Sequence, residues 1–284
     1  MSASVVVDSR WKRLGGVAPT ALSDARLQLH HAAQIAVSAA ISYLPARSDD
    51  SHTALTWIAS AGALATEPIT GAGTVRIGVR LQDLTLLALD GELRVTDSFA
   101  LANRTVADAN TWLRGRAAEA GLDAEGLTSG KHYTIPEHAV ARGAAFSART
   151  VSELAELASY WSNAATLLEE LARDTRGASA VRTWPHHFDI ATLIELTGAS
   201  RRTIGVGQSP GDDSYPEPYW YVGPYPYPAT HDLPPVAAGG HWHTTGWLGA
   251  VLPASAYVGS ADQRAQVAAF VESAVAACRR LLEA

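Results

Sequence analysis

Four apolar patterns at helical spacing alternate with runs of short strand patterns, and this order constrains the fold more than any other feature of the 284-residue chain. Helices are predicted over about residues 22–44, 105–120, 152–172 and 260–281, because apolar side chains recur there at the helical period. Strand patterns fill the interval between the first and second helices and the interval between the third and fourth helices. The predicted fold class is therefore α+β, with antiparallel sheets and helices packed on them.

The order of helix, strands and helix occurs twice along the chain. This repetition predicts one compact unit of two related halves, residues 20–125 and 150–284, joined by a connector over 122–150. An internal duplication would explain the repeated order, although the residues of the two halves show little similarity. The duplication is therefore a hypothesis about how the sheets arose.

Capping and turn residues predict several element ends. A capping box is predicted from Thr105 and Asp108, and another from Ser260 with Gln263. Asp90-Gly91 predicts a hairpin turn between two strands. These signals place the second and fourth helices and one strand pair.

Longer strands are predicted over residues 52–57, 75–81, 183–194 and 241–252. Within the first helix, the helical period places His30 at the edge of the apolar face and His31 on the opposite face. We therefore expect His30 to be partly buried and His31 to be exposed.

Composition excludes some classes of function. The net charge is −6 and there are only two lysines, so no basic surface for nucleic acid is predicted. No apolar run is long enough to cross a membrane, and the N-terminal sequence lacks a signal-peptide pattern, which predicts a cytoplasmic protein. Cys278 is the single cysteine, and its place in a helical pattern predicts a buried, inert thiol.

Residues 182–247 hold five of the ten histidines and nine of the fourteen prolines, which makes this segment the predicted functional region. Side chains alternate across a strand, so His187 should share a face with Asp189, and His241 with His243. If the strand of His187 and Asp189 lies beside the strand of His241 and His243, the imidazoles and the carboxylate come together at one site. Such a set suits a divalent metal such as zinc, iron or manganese. Alternatively, the histidines are structural and bind backbone and aspartate.

Other residues of the segment suggest small-molecule binding. The aromatic ribbon, Tyr219-Trp-Tyr-Val-Gly-Pro-Tyr-Pro-Tyr-Pro228, suits a planar or sugar-like ligand or, alternatively, covers a sheet. Asp212 and Glu217 are candidates for acid–base catalysis, although turn carboxylates are usually only solvated. Pro210 argues against an esterase elbow at Ser209, because the residue after the nucleophile must donate its backbone N–H. The predicted ligand-binding residues are Arg182, Trp184, Tyr219, Tyr221 and Trp242.

The segments Trp184-Pro-His-His-Phe-Asp-Ile-Ala191, Ser209-Pro-Gly-Asp212 and Pro218-Tyr-Trp-Tyr-Val222 carry a family resemblance. They resemble an uncharacterised bacterial family that is known only as a domain of unknown function, and Ser51-His-Thr-Ala-Leu-Thr-Trp57 extends the similarity upstream. The resemblance implies no activity, cofactor or catalytic residue. It implies that residues 182–247 act as one functional region.

Together these patterns predict a small-molecule pocket lined by histidine, aspartate and aromatic side chains, with metal-dependent catalysis as one reading. The competing prediction is a non-catalytic binding or interaction module whose histidines are structural. Bound metal and the exposure of Tyr225 and Tyr227 distinguish the two.

Overall fold

A computed structural model describes residues 11–197 and 201–283. Within these ranges the chain forms four α-helices and two antiparallel sheets, which confirms the α+β fold class. The helices are α1 (Ser23–Tyr43), α2 (Val106–Glu119), α3 (Val151–Asp174) and α4 (Gln263–Glu283). The strands are β1 (Thr56–Ile58), β2 (Ala63–Ala65), β3 (Ile69–Thr70), β4 (Thr74–Arg80), β5 (Thr85–Leu89), β6 (Val95–Ala100), β7 (Arg182–Trp184), β8 (Asp189–Leu196), β9 (Arg202–Ser209), β10 (Tyr219–Tyr225), β11 (His241–His243) and β12 (Gly249–Pro253).

The chain divides into two compact units. The first unit is Thr20–Ala158 with Arg182–Ile190, and the second is Met1–Pro19, Ser159–Val181 and Ala191–Ala284. The connector predicted over 122–150 is therefore part of the first unit, as is the stretch from Arg182 to Ile190. The internal duplication stays a prediction.

In the first unit, helix α1 packs against β4 and α2. Its alanine-rich sequence is buried on nearly all sides, which is typical of a helix in the centre of a fold. His30 is 5% exposed and His31 is 9% exposed. The prediction that His31 would be exposed is wrong, because its ring is covered by the 122–150 connector, where Pro136 O lies 3.0 Å from its Nε2.

The sheet of the first unit has the order β1-β2-β4-β5-β6, with β3 paired to β4. The predicted hairpin is confirmed: Asp90 Oδ1 accepts hydrogen bonds from the backbone of Glu92 and Arg94 between β5 and β6. The capping box of Thr105 and Asp108 is also present at the start of α2.

Other predicted boundaries differ. His52 lies in a short 3₁₀ helix before β1 instead of in a strand. The predicted strand over 183–194 is broken by a turn at residues 185–188, and that over 241–252 is broken between β11 and β12. Helix α4 begins later than predicted, and Asp262 caps it by accepting from Ala265 N, so the predicted box of Ser260 and Gln263 is wrong.

In the second unit, β11, β12, β10, β9 and β8 are neighbours in that order. Tyr221 pairs with Val251, and Val251 pairs with His241, so these three residues point to one face of the sheet. Helix α4 packs against β9, β10 and β12. The thiol of Cys278 is buried in this helix, and burial raises its pKa to about 12, as an inert thiol requires. None of the helices in the described ranges has both the length and the apolarity that a membrane crossing requires.

Candidate functional site

Six rings of the second unit form a connected set that consists of Tyr215 and the rings that contact it directly or through one neighbour. This set, here called the Tyr215 cluster, has three tyrosines, two histidines and a tryptophan. Its members are Tyr215, Tyr219, Tyr221, His241, His243 and Trp247. Two predicted ligand residues, Tyr219 and Tyr221, and two predicted metal ligands, His241 and His243, belong to it.

Strand alternation places most of the cluster. Tyr219 and Tyr221 are two residues apart on β10, and His241 and His243 are two apart on β11, so all four point to the same face of the sheet. Trp242 points to the opposite face, where its indole N–H donates to Pro234 O at 2.6 Å. The pairing of His241 with His243 was predictable from sequence, whereas Trp242 lies apart from it.

Tyr215 enters this face from the loop before β10. Its hydroxyl oxygen lies 3.1 Å from His241 Nε2 and 3.1 Å from His243 Nδ1. The Asp212 carboxylate holds the loop, since Oδ1 accepts from the backbone N–H of Ser214 and Tyr215 and Oδ2 accepts from Tyr219 Oη at 2.5 Å. The loop is therefore a turn closed by one side chain.

The proton positions in this arrangement follow from donor and acceptor counting. His243 Nε2 lies 2.7 Å from Thr245 O, a carbonyl that can only accept, so Nε2 carries a proton. In the neutral ring Nδ1 is then an acceptor, and Tyr215 donates its single proton to it. His241 Nε2–H must therefore donate to the Tyr215 oxygen. The result is a directed chain from His241 through Tyr215 and His243 to Thr245.

Burial and one neighbouring charge determine the protonation state of the Tyr215 phenol. Burial and, secondarily, the nearby Asp212 carboxylate raise the pKa of the Tyr215 hydroxyl, because both disfavour a phenolate. The group therefore stays a protonated phenol around neutral pH. Its role in the chain requires this state.

An aromatic stack supports His243. The rings of His243 and Trp247 are stacked with centroids 4.3 Å apart and 24° between planes. The Trp247 ring lies over the backbone of Gly249, where an added Cβ would be 2.7 Å from Trp247 Cζ3. Gly249 thus allows the tryptophan to lie close to the sheet beside His243.

The two predicted catalytic residues have structural partners. Glu217 accepts from Ser255 N at 2.6 Å and from Ser255 Oγ at 2.8 Å, so it anchors the turn after β12. Asp212 closes the Tyr215 loop. These contacts leave their predicted catalytic role without direct support.

The remaining predicted site residues belong to the first unit. Arg182 lies 3.6 Å from Glu67 in an ion pair, and Trp184 is edge-on to His186. His187 is exposed in the turn at residues 185–188, whereas Asp189 is 7% exposed and begins β8. The assumption that His187 and Asp189 share one face of a continuous strand is therefore wrong.

The four predicted metal ligands are divided between the units, with His187 and Asp189 in the first and His241 and His243 in the second. Among residues 11–197 and 201–283, no group of three or more histidine, cysteine, aspartate or glutamate side chains is arranged to hold a metal. The sequence interpretation missed Tyr215 and Trp247. Tyr215 lies in the loop before β10, far from His241 in sequence, and Trp247 lies after the end of β11. The only available signal was the general richness in aromatic residues.

The first unit contains a second concentration of histidines. His30 is stacked on Phe188, with centroids 4.8 Å apart and 4° between planes, and its Nε2 donates to Pro185 O at 2.8 Å. Gln34 Nε2 donates to the same carbonyl at 2.9 Å. Burial lowers the pKa of His30 to about 4, and burial together with His187 lowers that of His186 to about 4. The neutral imidazole of His30, together with Gln34, fastens the turn at residues 185–188 to α1.

No family model, curated protein or solved structure gives a match to this chain. The family resemblance carried by residues 184–191 and 209–222 stays a prediction. The geometry of the Tyr215 cluster is therefore the basis for a functional proposal.

Proposed function

We propose that the protein binds a small ring-bearing molecule at the Tyr215 cluster, with the histidine–tyrosine chain as the polar end of the site. One observation carries the proposal: a single hydroxyl joins two imidazoles beside a stacked histidine–tryptophan pair. Flat aromatic surfaces next to a few fixed polar groups are the usual lining of small-molecule sites.

The directed hydrogen bonds indicate which ligand groups suit the site. Because His241 Nε2 donates to Tyr215, the other nitrogen of the neutral His241 ring, Nδ1, is an acceptor. His241 is exposed, and its hydrogen bond to the described residues is made by Nε2, which leaves Nδ1 for a ligand. A ligand hydroxyl or N–H can therefore donate to it while the ligand ring lies on the neighbouring aromatic faces. Sugars and hydroxylated aromatic rings have this combination of groups.

The test is fluorine NMR on protein labelled with 5-fluorotryptophan, in which the eight tryptophans report separately. Trp247→Phe assigns the resonance of the cluster. Methyl glycosides, nucleosides and hydroxybenzoates are titrated in the presence of a chelator. We expect one class to shift the Trp247 resonance and to bind at least about tenfold more weakly to Tyr215→Phe, which loses the polar end.

The matched control is Trp112→Phe in the first unit, where the indole N–H donates to Asp97. This variant should bind the same ligand class with unchanged affinity. If no class shifts the Trp247 resonance, or if Tyr215→Phe binds as tightly as the parent protein, the proposal is wrong.

A second candidate function is protein–protein contact through the aromatic ribbon. Tyr225 and Tyr227 are each 59% exposed. Exposed tyrosines between prolines are common in interfaces, because they offer a large rigid area with a polar tip. A second copy of the chain is the partner to test first, by sedimentation velocity of the parent and of the double variant Tyr225→Ser, Tyr227→Ser. Concentration-dependent association that the double variant loses would support this function, and identical monomers would oppose it.

A further inference from the structure

We infer that Tyr215, His241 and His243 form a binding site for a divalent transition metal, in which a phenol oxygen replaces the carboxylate expected from sequence. The inference goes beyond the proposed function: it uses the same Tyr215 cluster, but in a second state in which His241 Nδ1 carries a proton and no longer accepts one from a ring ligand. It differs from the metal site predicted from sequence in its third ligand and in lying wholly within the second unit.

Two of the three separations among the candidate ligand atoms suit a shared metal. The Tyr215 oxygen is 3.1 Å from each imidazole nitrogen. Two ligand atoms bound at about 2.05 Å and separated by that distance subtend about 98° at the metal, between the square and tetrahedral angles. Both oxygen–nitrogen pairs are therefore spaced as neighbouring ligands of one ion.

His243 already has the orientation of a metal ligand. Metal-binding histidines usually donate their second ring N–H to a carbonyl or carboxylate, which fixes the tautomer and the ring plane. His243 Nε2–H donates to Thr245 O at 2.7 Å, so its Nδ1 lone pair faces Tyr215. The stack with Trp247 holds the ring in that plane.

Metal binding requires two proton changes. The Tyr215 phenol must lose its proton to solvent, and His241 must move its proton from Nε2 to Nδ1. His241 is exposed, so water can accept a hydrogen bond from Nδ1–H. Because the phenol must lose its proton before the oxygen binds the metal, metal affinity should increase as the pH rises.

The ligand chemistry selects the metal. Two imidazole nitrogens and one phenolate oxygen suit copper, zinc or iron, whereas calcium and magnesium prefer sets of oxygen ligands. Three protein ligands leave positions for water or substrate, as in catalytic zinc sites. A metal there would supply a Lewis acid next to the proposed ring-binding surface.

The experiment is a titration of untagged, chelator-treated protein with Cu²⁺ and, separately, Zn²⁺, with no organic ligand present. We expect one equivalent to bind, with a visible phenolate-to-copper charge-transfer band. Tyr215→Phe should abolish the band and weaken binding of both metals at least about tenfold, and His243→Gln should weaken binding further. The matched control is His231→Gln, which removes an exposed histidine paired with Asp232 and should change affinity less than twofold.

One-equivalent metal binding is measured on the parent protein itself, so a folding defect in a variant cannot affect that result. Absence of one-equivalent binding, or a copper complex without the charge-transfer band, would overturn the inference. Metal affinity in Tyr215→Phe equal to that of the parent would also overturn it. The ring-ligand screen contains a chelator and the metal titration contains no ring ligand, so failure of either proposal is seen separately.

Discussion

Replacement of His30 by phenylalanine should change how stability depends on pH. His30 is 5% exposed, stacked on Phe188, and donates to Pro185 O as a neutral imidazole. Burial lowers its pKa from 6.5 in the unfolded chain to about 4 in the folded protein. The unfolded state therefore takes up a proton first as the pH falls, so the stabilising contribution is present above pH 6.5 and is lost toward pH 4.

The magnitude follows from these two pKa values. Proton linkage at this single site lowers the free energy of unfolding by about 2 kcal/mol between pH 7 and pH 4.5. His30→Phe keeps the stack and loses one hydrogen bond, and Gln34 still donates to Pro185 O. The variant should therefore be about 1 kcal/mol less stable at pH 7 and should show a pH dependence smaller by about 2 kcal/mol.

Urea unfolding followed by circular dichroism at the two pH values measures both quantities. Carboxylates that lose charge in acid contribute equally to the parent and the variant, so the difference between the curves isolates His30. Gln34→Leu is the control: it removes the other donor to Pro185 O without removing a titratable group, and its curve should run parallel to that of the parent. If the curve of His30→Phe is also parallel, the reasoning is refuted.

Two further changes test the second unit. Gly240→Ala places a Cβ 2.4 Å from Phe270 Cδ2 in the core and should lower the free energy of unfolding by about 1–3 kcal/mol. Gly259→Ala is the control, because a Cβ there meets nothing within 4 Å and should change stability little. Equal urea midpoints for the two variants would contradict the predicted overpacking. Glu217→Gln keeps one acceptor for Ser255 but loses the charge, so stability should fall by about 1 kcal/mol while ring-ligand affinity is unchanged. A loss of affinity without a loss of stability would instead favour a catalytic or binding role for Glu217.

The elements predicted correctly are those fixed by local chemistry. Helix α1, the Thr105–Asp108 capping box and the Asp90-Gly91 hairpin each depend on residues within a few positions of one another. The helical period and the turn residues therefore suffice to place them. The same locality explains why His241 and His243 were expected on one face.

The errors arose where distant groups determine the local conformation. Phe188 has a φ of 57°, which a phenylalanine adopts rarely, and it interrupts the strand predicted over 183–194. Its turn is held by donors from His30 and Gln34, some 150 residues earlier in the chain. The exposure of His31 was misjudged for the same reason, since the segment that covers it follows more than a hundred residues later. No periodicity within either segment contains this information.

The Tyr215 cluster depends on both local sequence pattern and contacts between distant segments. Alternation along β11 directs His241 and His243 to the same side, but the group that joins them comes from a loop closed by Asp212. In sequence Tyr215 is one aromatic residue among many, and only its position between two imidazoles distinguishes it. Two histidines on one strand therefore predict where a polar site begins, whereas the identity of the third group depends on how the preceding loop packs. That third group decides the chemistry, because a phenol supplies a proton to the chain and a phenolate supplies an anionic ligand to a metal.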